Sequence, residues 1–152
     1  MVFRRAVMDD TEQLITLRCL QLQDEGQKPD VNIERELRNY FKEKMESGEL
    51  VEWVAEEDDR RIIATAAVAF MDFPPTFTNP SGKKGYITNM YTADKYRGHG
   101  IAGTLLKKLE QEAKERGITN LVLHASEMGR KAYVKSGFSE RQVVMEKKRL
   151  NH

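Results

Sequence analysis

The sequence is poor in the residues that build disulfides and metal sites. Its 152 residues include one cysteine and three histidines. A single cysteine, Cys19, cannot form an internal disulfide, and its apolar surroundings predict a buried thiol in a reducing compartment such as the cytosol. The histidines, His99, His124 and His152, are widely separated. No spacing therefore resembles a zinc site, and we expect no bound metal.

Long apolar runs and an excess of one charge are also missing. No apolar segment approaches the ~20 residues that cross a bilayer, and early charges interrupt any signal-peptide core. Lysine and arginine total 25 against 24 for aspartate and glutamate, which leaves a formal net charge of +1. This balance gives no reason to expect nucleic acid or an anionic membrane as a partner. The composition favours one cytoplasmic domain over residues 1–152.

The hydrophobic pattern changes between strand and helix periods along the chain. Asp10 and Gln13 resemble a capping box that opens the first helix. The order of elements predicts an α/β fold of the α+β type, with a mixed sheet flanked by helices. Strands are predicted at 2–7, 50–57, 60–71, 86–92, 119–124 and within 138–148, and helices at 10–23, 32–47, 101–117 and 128–136.

The most informative segment is the turn that joins the strand at 86–92 to the helix at 101–117. A helix begins with unpaired N–H groups and a partial positive charge, which together suit a phosphate. Gly98 and Gly100 remove side chains that would block an approach to the backbone, and Arg97 adds a guanidinium that can bridge phosphate oxygens. The turn is a candidate pyrophosphate site, although a plain strand-to-helix connection has the same composition.

Two other phosphate-binding patterns fit the turn less well. Gly98, Gly100 and Gly103 have the spacing of the dinucleotide fingerprint, but the turn lies far from the first strand and no acidic residue closes a second strand about 20 residues on. The phosphate-loop pattern fails because no Gly-Lys-Ser/Thr is present. A nucleotide-binding fold that uses this turn for another pyrophosphate is therefore the weaker alternative.

Two motifs carry a resemblance to a known family. The run from Arg97 to Ala102, Arg-Gly-His-Gly-Ile-Ala, resembles the Arg/Gln-x-x-Gly-x-Gly/Ala signature of the GCN5-related N-acetyltransferases (GNAT). The run from Tyr133 to Phe138 matches the family's Tyr-x-Lys-x-Gly-Phe. The resemblance covers most of the chain and implies a central mixed sheet with splayed parallel strands. It also implies transfer of an acetyl group from acetyl-coenzyme A to a primary amine by direct attack. The alternative from another class is a module that binds acyl-coenzyme A without turnover.

The resemblance also implies which residues hold the cofactor. The strand would pair its backbone with the pantetheine arm, with the N–H of Tyr91 polarising the thioester oxygen, and the turn would hold the pyrophosphate. His99 lies at a variable position of the motif, where a solvated side chain is favoured over a contact to the adenosine 3′-phosphate. Ser126 stands where the family often has an asparagine that reaches the cofactor arm. The implied set is Met90, Tyr91, Thr92, Arg97, Gly98, His99, Gly100, Ile101, Ala102, Gly103, Thr104 and Ser126.

The acid and the base of the reaction are unequally defined by the sequence. Tyr133 matches the family position of the general acid, which would donate to the departing thiolate. The base is open among Asp72, Glu127, His124 and a water chain to solvent. The acceptor is expected to be a small-molecule amine, and the resemblance leaves a homodimer open.

Overall fold

The computed structural model describes residues 1–127, 129–141 and 145–148, and it confirms a mixed sheet flanked by helices. The five strands lie in the order β1-β2-β3-β4-β5. All neighbouring strands are antiparallel except β4 and β5, which are parallel. The strands are β1 (Val2–Arg5), β2 (Leu50–Glu56), β3 (Ile62–Asp72), β4 (Lys83–Thr92) and β5 (Leu121–Val122), and the helices are α1 (Thr11–Asp24), α2 (Glu34–Ser47), α3 (Ile101–Glu115) and α4 (Arg130–Lys135).

Two apolar clusters lie on opposite faces of this sheet. Helix α3 covers one of them, here called the α3 face, and helices α1 and α2 cover the other, the α1/α2 face. Strand β2 shows the alternation, because Val51 and Ala55 join the α3 cluster while Leu50 and Val54 join the other. Successive side chains of a strand point to opposite faces, so an even-numbered β2 residue lies beneath α1 and α2.

A bulge bends strand β4 near its end. Thr65 of β3 lies opposite Tyr91, whereas Ala67 lies opposite Thr88, so the register shifts between these pairs. Asn89 adopts the left-handed conformation there, with φ 55°. A bulge inserts one extra residue and bends the strand away from its regular path.

The bend separates β4 from β5. The two strands pair only at Gly85 with Leu121 and at Tyr86 with Val122. Past Tyr86, within the described part of the chain, β4 has no strand partner on that side. A wedge therefore opens between the two parallel strands. The bend also explains why the strand predicted at 119–124 is shortened to Leu121–Val122.

The predicted capping box is wrong, because the Asp10 side chain makes no cap hydrogen bond to helix α1. The Asp10 carboxylate instead accepts two hydrogen bonds from the guanidinium of Arg4, at 2.8 and 2.9 Å, and one from the amide of Val7 at 2.7 Å. The side chain of Gln13 accepts from the amide of Ile62 at 2.9 Å. A charged donor outcompetes a neutral helix amide, and Arg4 accordingly holds the pKa of Asp10 below its usual value.

The strand predicted within 138–148 lies only partly in the described residues. Residues 138–141 and 145–148 form no regular secondary structure, while residues 142–144, which belong to the same predicted strand segment, lie outside the described residues. Within the described ranges, no helix is long and apolar enough to cross a membrane.

Candidate active site

Strand β4 leads through a short 3₁₀ turn, Asp94–Tyr96, into the start of helix α3. Gly98 and Gly100 both adopt left-handed conformations, with φ 81° and 79°. This conformation disfavours any residue with a Cβ atom, which explains the glycines. A Cβ added at either position would meet no heavy atom within 4 Å, so open space adjoins the backbone of the turn.

The turn presents a run of free amides. The amide of Arg97 donates to the carbonyl of Asp94 at 3.2 Å, and that of Thr104 donates to Gly100 at 3.1 Å. Between them, the amides of residues 98–103 donate to no backbone carbonyl in the described part of the chain. Together with the helix dipole, such a run forms a site for an anion. The candidate anion site therefore begins at Gly98, one residue later than the sequence motif suggests.

The guanidinium of Arg97 is already occupied. It lies 2.9 Å from the carboxylate of Asp24 and 2.5 Å from that of Asp94, and its Nε donates to the carbonyl of Thr92 at 2.8 Å. Arg97 thus ties the end of helix α1 to the turn. This geometry favours the backbone amides, rather than the guanidinium, as the phosphate-binding groups.

Two neighbouring side chains also hydrogen-bond locally. The Nδ1 atom of the exposed His99 lies 3.0 Å from the carbonyl oxygen of Tyr96. The hydroxyl of Thr104 donates to the carbonyl of Gly100 at 3.2 Å. Ile101 is buried in the α3 cluster, and Ala102 and Gly103 are half-buried in the first turn of the helix.

Met90, Tyr91 and Thr92 lie on the open part of β4. The amide of Ala93 donates to Ile63 of β3 at 2.8 Å. Because alternate residues of an antiparallel strand direct their backbone groups to opposite sides, the amide of Tyr91 also points to β3. The amides of Met90 and Thr92 then face the wedge, so Met90 is better placed than Tyr91 to polarise a thioester oxygen there.

Tyr133 of helix α4 packs into the α3 cluster and is 6% exposed. Its ring fits over Gly129, where an added Cβ would lie 2.7 to 2.9 Å from two outer ring atoms and the hydroxyl oxygen. Burial raises the pKa of the Tyr133 phenol, and the nearby Glu25 and Tyr86 add to this effect. The phenol therefore keeps its proton at neutral pH and can donate it.

Ser126 shapes the start of helix α4. Its hydroxyl oxygen accepts a hydrogen bond from the amide of Gly129 at 3.1 Å, and its carbonyl accepts one from Arg130 at 3.1 Å. Ser126 thereby fixes the glycine over which the Tyr133 ring lies.

A comparison with protein families separates the remaining alternatives. The sequence model of the acetyltransferase (GNAT) family matches residues 13–138, which is most of the chain. This chain belongs to the GNAT family. The match includes the free-amide turn, the wedge strands and Tyr133, so the glycine-bearing turn is that of an acetyltransferase and not that of a dinucleotide-binding fold.

Similar proteins agree with this assignment. A predicted acetyltransferase from Clostridium acetobutylicum, crystallised with acetyl-CoA, is 50% identical with a TM-score of 0.92 over 99% of this chain and 95% of that one. A GCN5-related N-acetyltransferase from Ralstonia eutropha JMP134 is 28% identical with a TM-score of 0.87, over 96% and 97% of the two chains. The uncharacterized N-acetyltransferase YycN of Bacillus subtilis (strain 168) is 38% identical over 69 residues, 43% of this chain and 44% of that protein. The matched segment thus spans less than half of the YycN chain.

A groove of about 480 Å³ adjoins the bulge of this GNAT chain on the α1/α2 face. It lies between helices α1 and α2 and strand β4, so it reaches β4 from the face opposite helix α3. Its lining includes one positively charged side chain, Arg18, one negatively charged side chain, Glu36, and the phenol of Tyr40. Its lining consists of Arg18, Ile33, Glu36, Leu37, Tyr40, Phe41, Thr88 and Asn89.

Glu52 lies beneath this groove and was not predicted from the sequence. Its Oε1 accepts a hydrogen bond from the Asn89 amide group at 3.2 Å, and its Oε2 accepts one from the Thr65 hydroxyl at 2.6 Å. The residue is 2% exposed, and burial raises the pKa of its carboxyl to about 7. The available signal was a lone carboxylate between the apolar residues Leu50 and Val54 on one face of β2.

The three predicted base candidates lie elsewhere. Asp72 is exposed and pairs with Lys83 at 3.0 Å, near the end of β3 that is remote from the bulge. Glu127 is exposed, and His124 holds its Nδ1 atom 2.7 Å from the hydroxyl of Tyr86. None of the three belongs to the residues that line the groove.

Proposed function

We propose that this GNAT chain transfers the acetyl group of acetyl-CoA to a primary amine of a small molecule. The observation that carries the proposal is the wedge, which leads from the open side of β4 to the free amides of residues 98–103. An extended pantetheine arm can add to β4 as a strand adds to a sheet edge. The pyrophosphate then lies on the amides and at the positive end of the helix dipole.

The described residues fit this cofactor. Open space lies beside Gly98 and Gly100, and the amides there lack backbone acceptors. The related structure from C. acetobutylicum contains acetyl-CoA, which supports the same use of this fold. When bound, acetyl-CoA supplies an acetyl group activated as a thioester.

The chain's own residues supply the remaining chemistry. The amide of Met90 polarises the carbonyl oxygen in the wedge, and Tyr133 donates its phenolic proton to the leaving sulfur. Direct attack by the amine is favoured because the sole cysteine, Cys19, packs in the α1/α2 cluster. A covalent acetyl-thiol intermediate at the wedge has no cysteine to form on.

The cofactor site is tested by a matched pair of variants. Gly100 precedes helix α3 and Gly117 follows it, with φ 79° and 72°. An added Cβ would meet no heavy atom within 4 Å at either glycine. Gly100→Ala and Gly117→Ala should therefore strain the backbone equally. We expect only Gly100→Ala to weaken acetyl-CoA binding, by about tenfold or more, as measured by isothermal titration calorimetry. Equal affinity in the two variants would contradict the site.

Turnover is tested by thiol release from acetyl-CoA with a panel of amino sugars, polyamines and amino acids. Thiol release that depends on one of these amines supports the proposal, and Tyr133→Phe should lower its rate with little effect on acetyl-CoA affinity. Acetyl-CoA binding without thiol release from any amine would favour a binding module instead.

A further inference from the structure

Glu52 occupies a position that packing alone does not explain. It projects from β2 onto the α1/α2 face among apolar side chains, and in the described part of the chain its hydrogen-bond partners are the neutral groups of Thr65 and Asn89. Burying an ionisable carboxyl with neutral partners costs stability. Buried groups of this kind with a shifted pKa are typical of sites where a proton is exchanged.

The partners of Glu52 connect it to the site of acetyl transfer. Asn89, which donates to its Oε1, is the left-handed residue of the bulge and also lines the groove. Met90, whose amide faces the wedge, is the next residue along β4. The carboxylate, the groove floor and the wedge therefore meet at one point of the strand.

The charges around Glu52 come from two helices. Arg18 of α1 lines the groove, and its positive charge acts on the carboxyl. Tyr40 of α2 lines the groove from the other side, and burial, together with the negative charge of Glu52, raises the pKa of its phenol. From the strands, Thr65 and Asn89 contribute neutral hydrogen-bond donors.

We propose that Glu52 is the proton acceptor for the attacking amine, which reaches it through the groove floor at Asn89; this role rests on the proposed acetyl transfer. As the bond between nitrogen and the acetyl carbon forms and the carbon–sulfur bond breaks, Glu52 takes one proton from nitrogen through solvent in the groove. Tyr133 gives its proton to sulfur. Glu52 then returns its proton through solvent to the Tyr133 phenolate, which restores both groups.

The kinetic test is the pH profile of kcat/KM for an amine that the wild-type chain acetylates, calculated on the concentration of the neutral amine so that the titration of the substrate itself does not contribute. The wild-type profile should rise with pH and level off above about 7, where Glu52 is ionised. Glu52→Gln keeps the volume of the side chain and imitates its protonated form, with one oxygen that accepts and one group that donates. We expect it to lower kcat/KM at pH 8 by about 100-fold without changing acetyl-CoA affinity. We also expect it to remove the rise of kcat/KM below about pH 7, here called the acidic limb.

A second variant separates proton transfer from a structural role. Thr65→Val removes a donor that favours the charged carboxylate, so the acidic limb should move to higher pH. A carboxylate that only supported the bulge would not move it. Glu112→Gln changes another buried carboxylate on the α3 face and should leave the limb in place, as should His124→Asn.

A measurement without substrates completes the test. The side-chain carboxyl carbon of Glu52, followed by ¹³C NMR in the free chain, should titrate near pH 7. Titration near the usual 4.5, an acidic limb retained in Glu52→Gln, or a limb lost in His124→Asn would each overturn the proposal. These failures leave wild-type acetyl transfer intact, whereas failure of the proposed function appears as no thiol release with any amine of the panel.

Discussion

Two buried carboxylates lie on opposite faces of the same sheet and are held in different ways. Glu112 of α3 is 4% exposed and receives hydrogen bonds from the guanidinium of Arg5 and, at 2.9 Å, from the indole of Trp53. Glu52 of β2 is 2% exposed and receives hydrogen bonds only from the neutral groups of Thr65 and Asn89 in the described part of the chain.

The difference separates a structural carboxylate from one suited to proton exchange. A charge that is paired at hydrogen-bond distance gains stability from remaining ionised. Burial with neutral donors destabilises the ionised form of a carboxyl, so its pKa rises. A carboxyl whose pKa lies near the working pH can accept and release a proton during the reaction. The α3 face therefore holds a carboxylate that is paired with a guanidinium, while the α1/α2 face holds one whose pKa burial raises to about 7.

The largest effect expected is on the stability of Glu52→Gln. The folded pKa of about 7 lies above the usual 4.5, so the folded state binds a proton more tightly than the unfolded state. The free energy of unfolding of the wild type should fall as pH rises from about 4.5 to 7 and stay level above. Glu52→Gln should remove this fall and be more stable than the wild type at pH 8.5 by about 3 kcal/mol. Urea denaturation at pH 5 and 8.5 measures both values.

Glu112→Gln should behave in the opposite way. The neutral amide that replaces the carboxylate cannot pair with the charge of Arg5, so we expect a loss of about 2 kcal/mol at pH 8.5. The same denaturation series measures it. A gain in stability at high pH, as expected for Glu52→Gln, would show that the two carboxylates are alike and would remove the contrast.

Gly129→Ala tests whether the two faces act separately. The added Cβ must displace the Tyr133 ring, because it would lie 2.7 Å from the nearest ring atom. We expect kcat to fall about tenfold, which corresponds to about 1.4 kcal/mol, while the acidic limb stays in place. In a Tyr133→Phe background the same substitution should have little further effect on kcat. Full additivity of the two changes would argue against an acid role for Tyr133.

The smallest effect expected is that of Arg18→Gln. Its positive charge lowers the pKa of Glu52, but by less than the hydrogen bonds from Thr65 and Asn89 do, and burial, which raises the pKa, outweighs all three. The acidic limb should therefore move up by less than about half a pH unit, and added salt should reduce the difference from wild type. Arg38→Gln, which alters an exposed pair with Glu12, is the control and should not move the limb.

The backbone conformation of the candidate phosphate turn could be predicted because its signal is local. Gly98 and Gly100 are two residues apart, and both are required by the backbone conformation of the turn itself. The family resemblance added Tyr133 and the acetyl-CoA chemistry, and the family comparison confirmed the assignment. The strand and helix order of the described residues followed from periodicity for the same reason, since each element has its own repeat.

The buried proton site could not be predicted because it is not local. Glu52 is separated by 37 residues from Asn89 and by 13 from Thr65, and only the pairing of β2, β3 and β4 brings them together. The role of Arg97 was equally hidden, since its partner Asp24 is 73 residues away. The register shift that brings Asn89 over Glu52 has no signature in periodicity.

The short pairing of β4 with β5 has a consequence for how the protein persists in solution. Past Tyr86, the inner strand β4 has no strand partner on one side among the described residues. A free sheet edge of this kind in other proteins templates strand addition between molecules and aggregation. A pantetheine arm that fills this edge would also shield it. We therefore expect the supply of acetyl-CoA to govern the solubility and lifetime of the chain as well as its turnover.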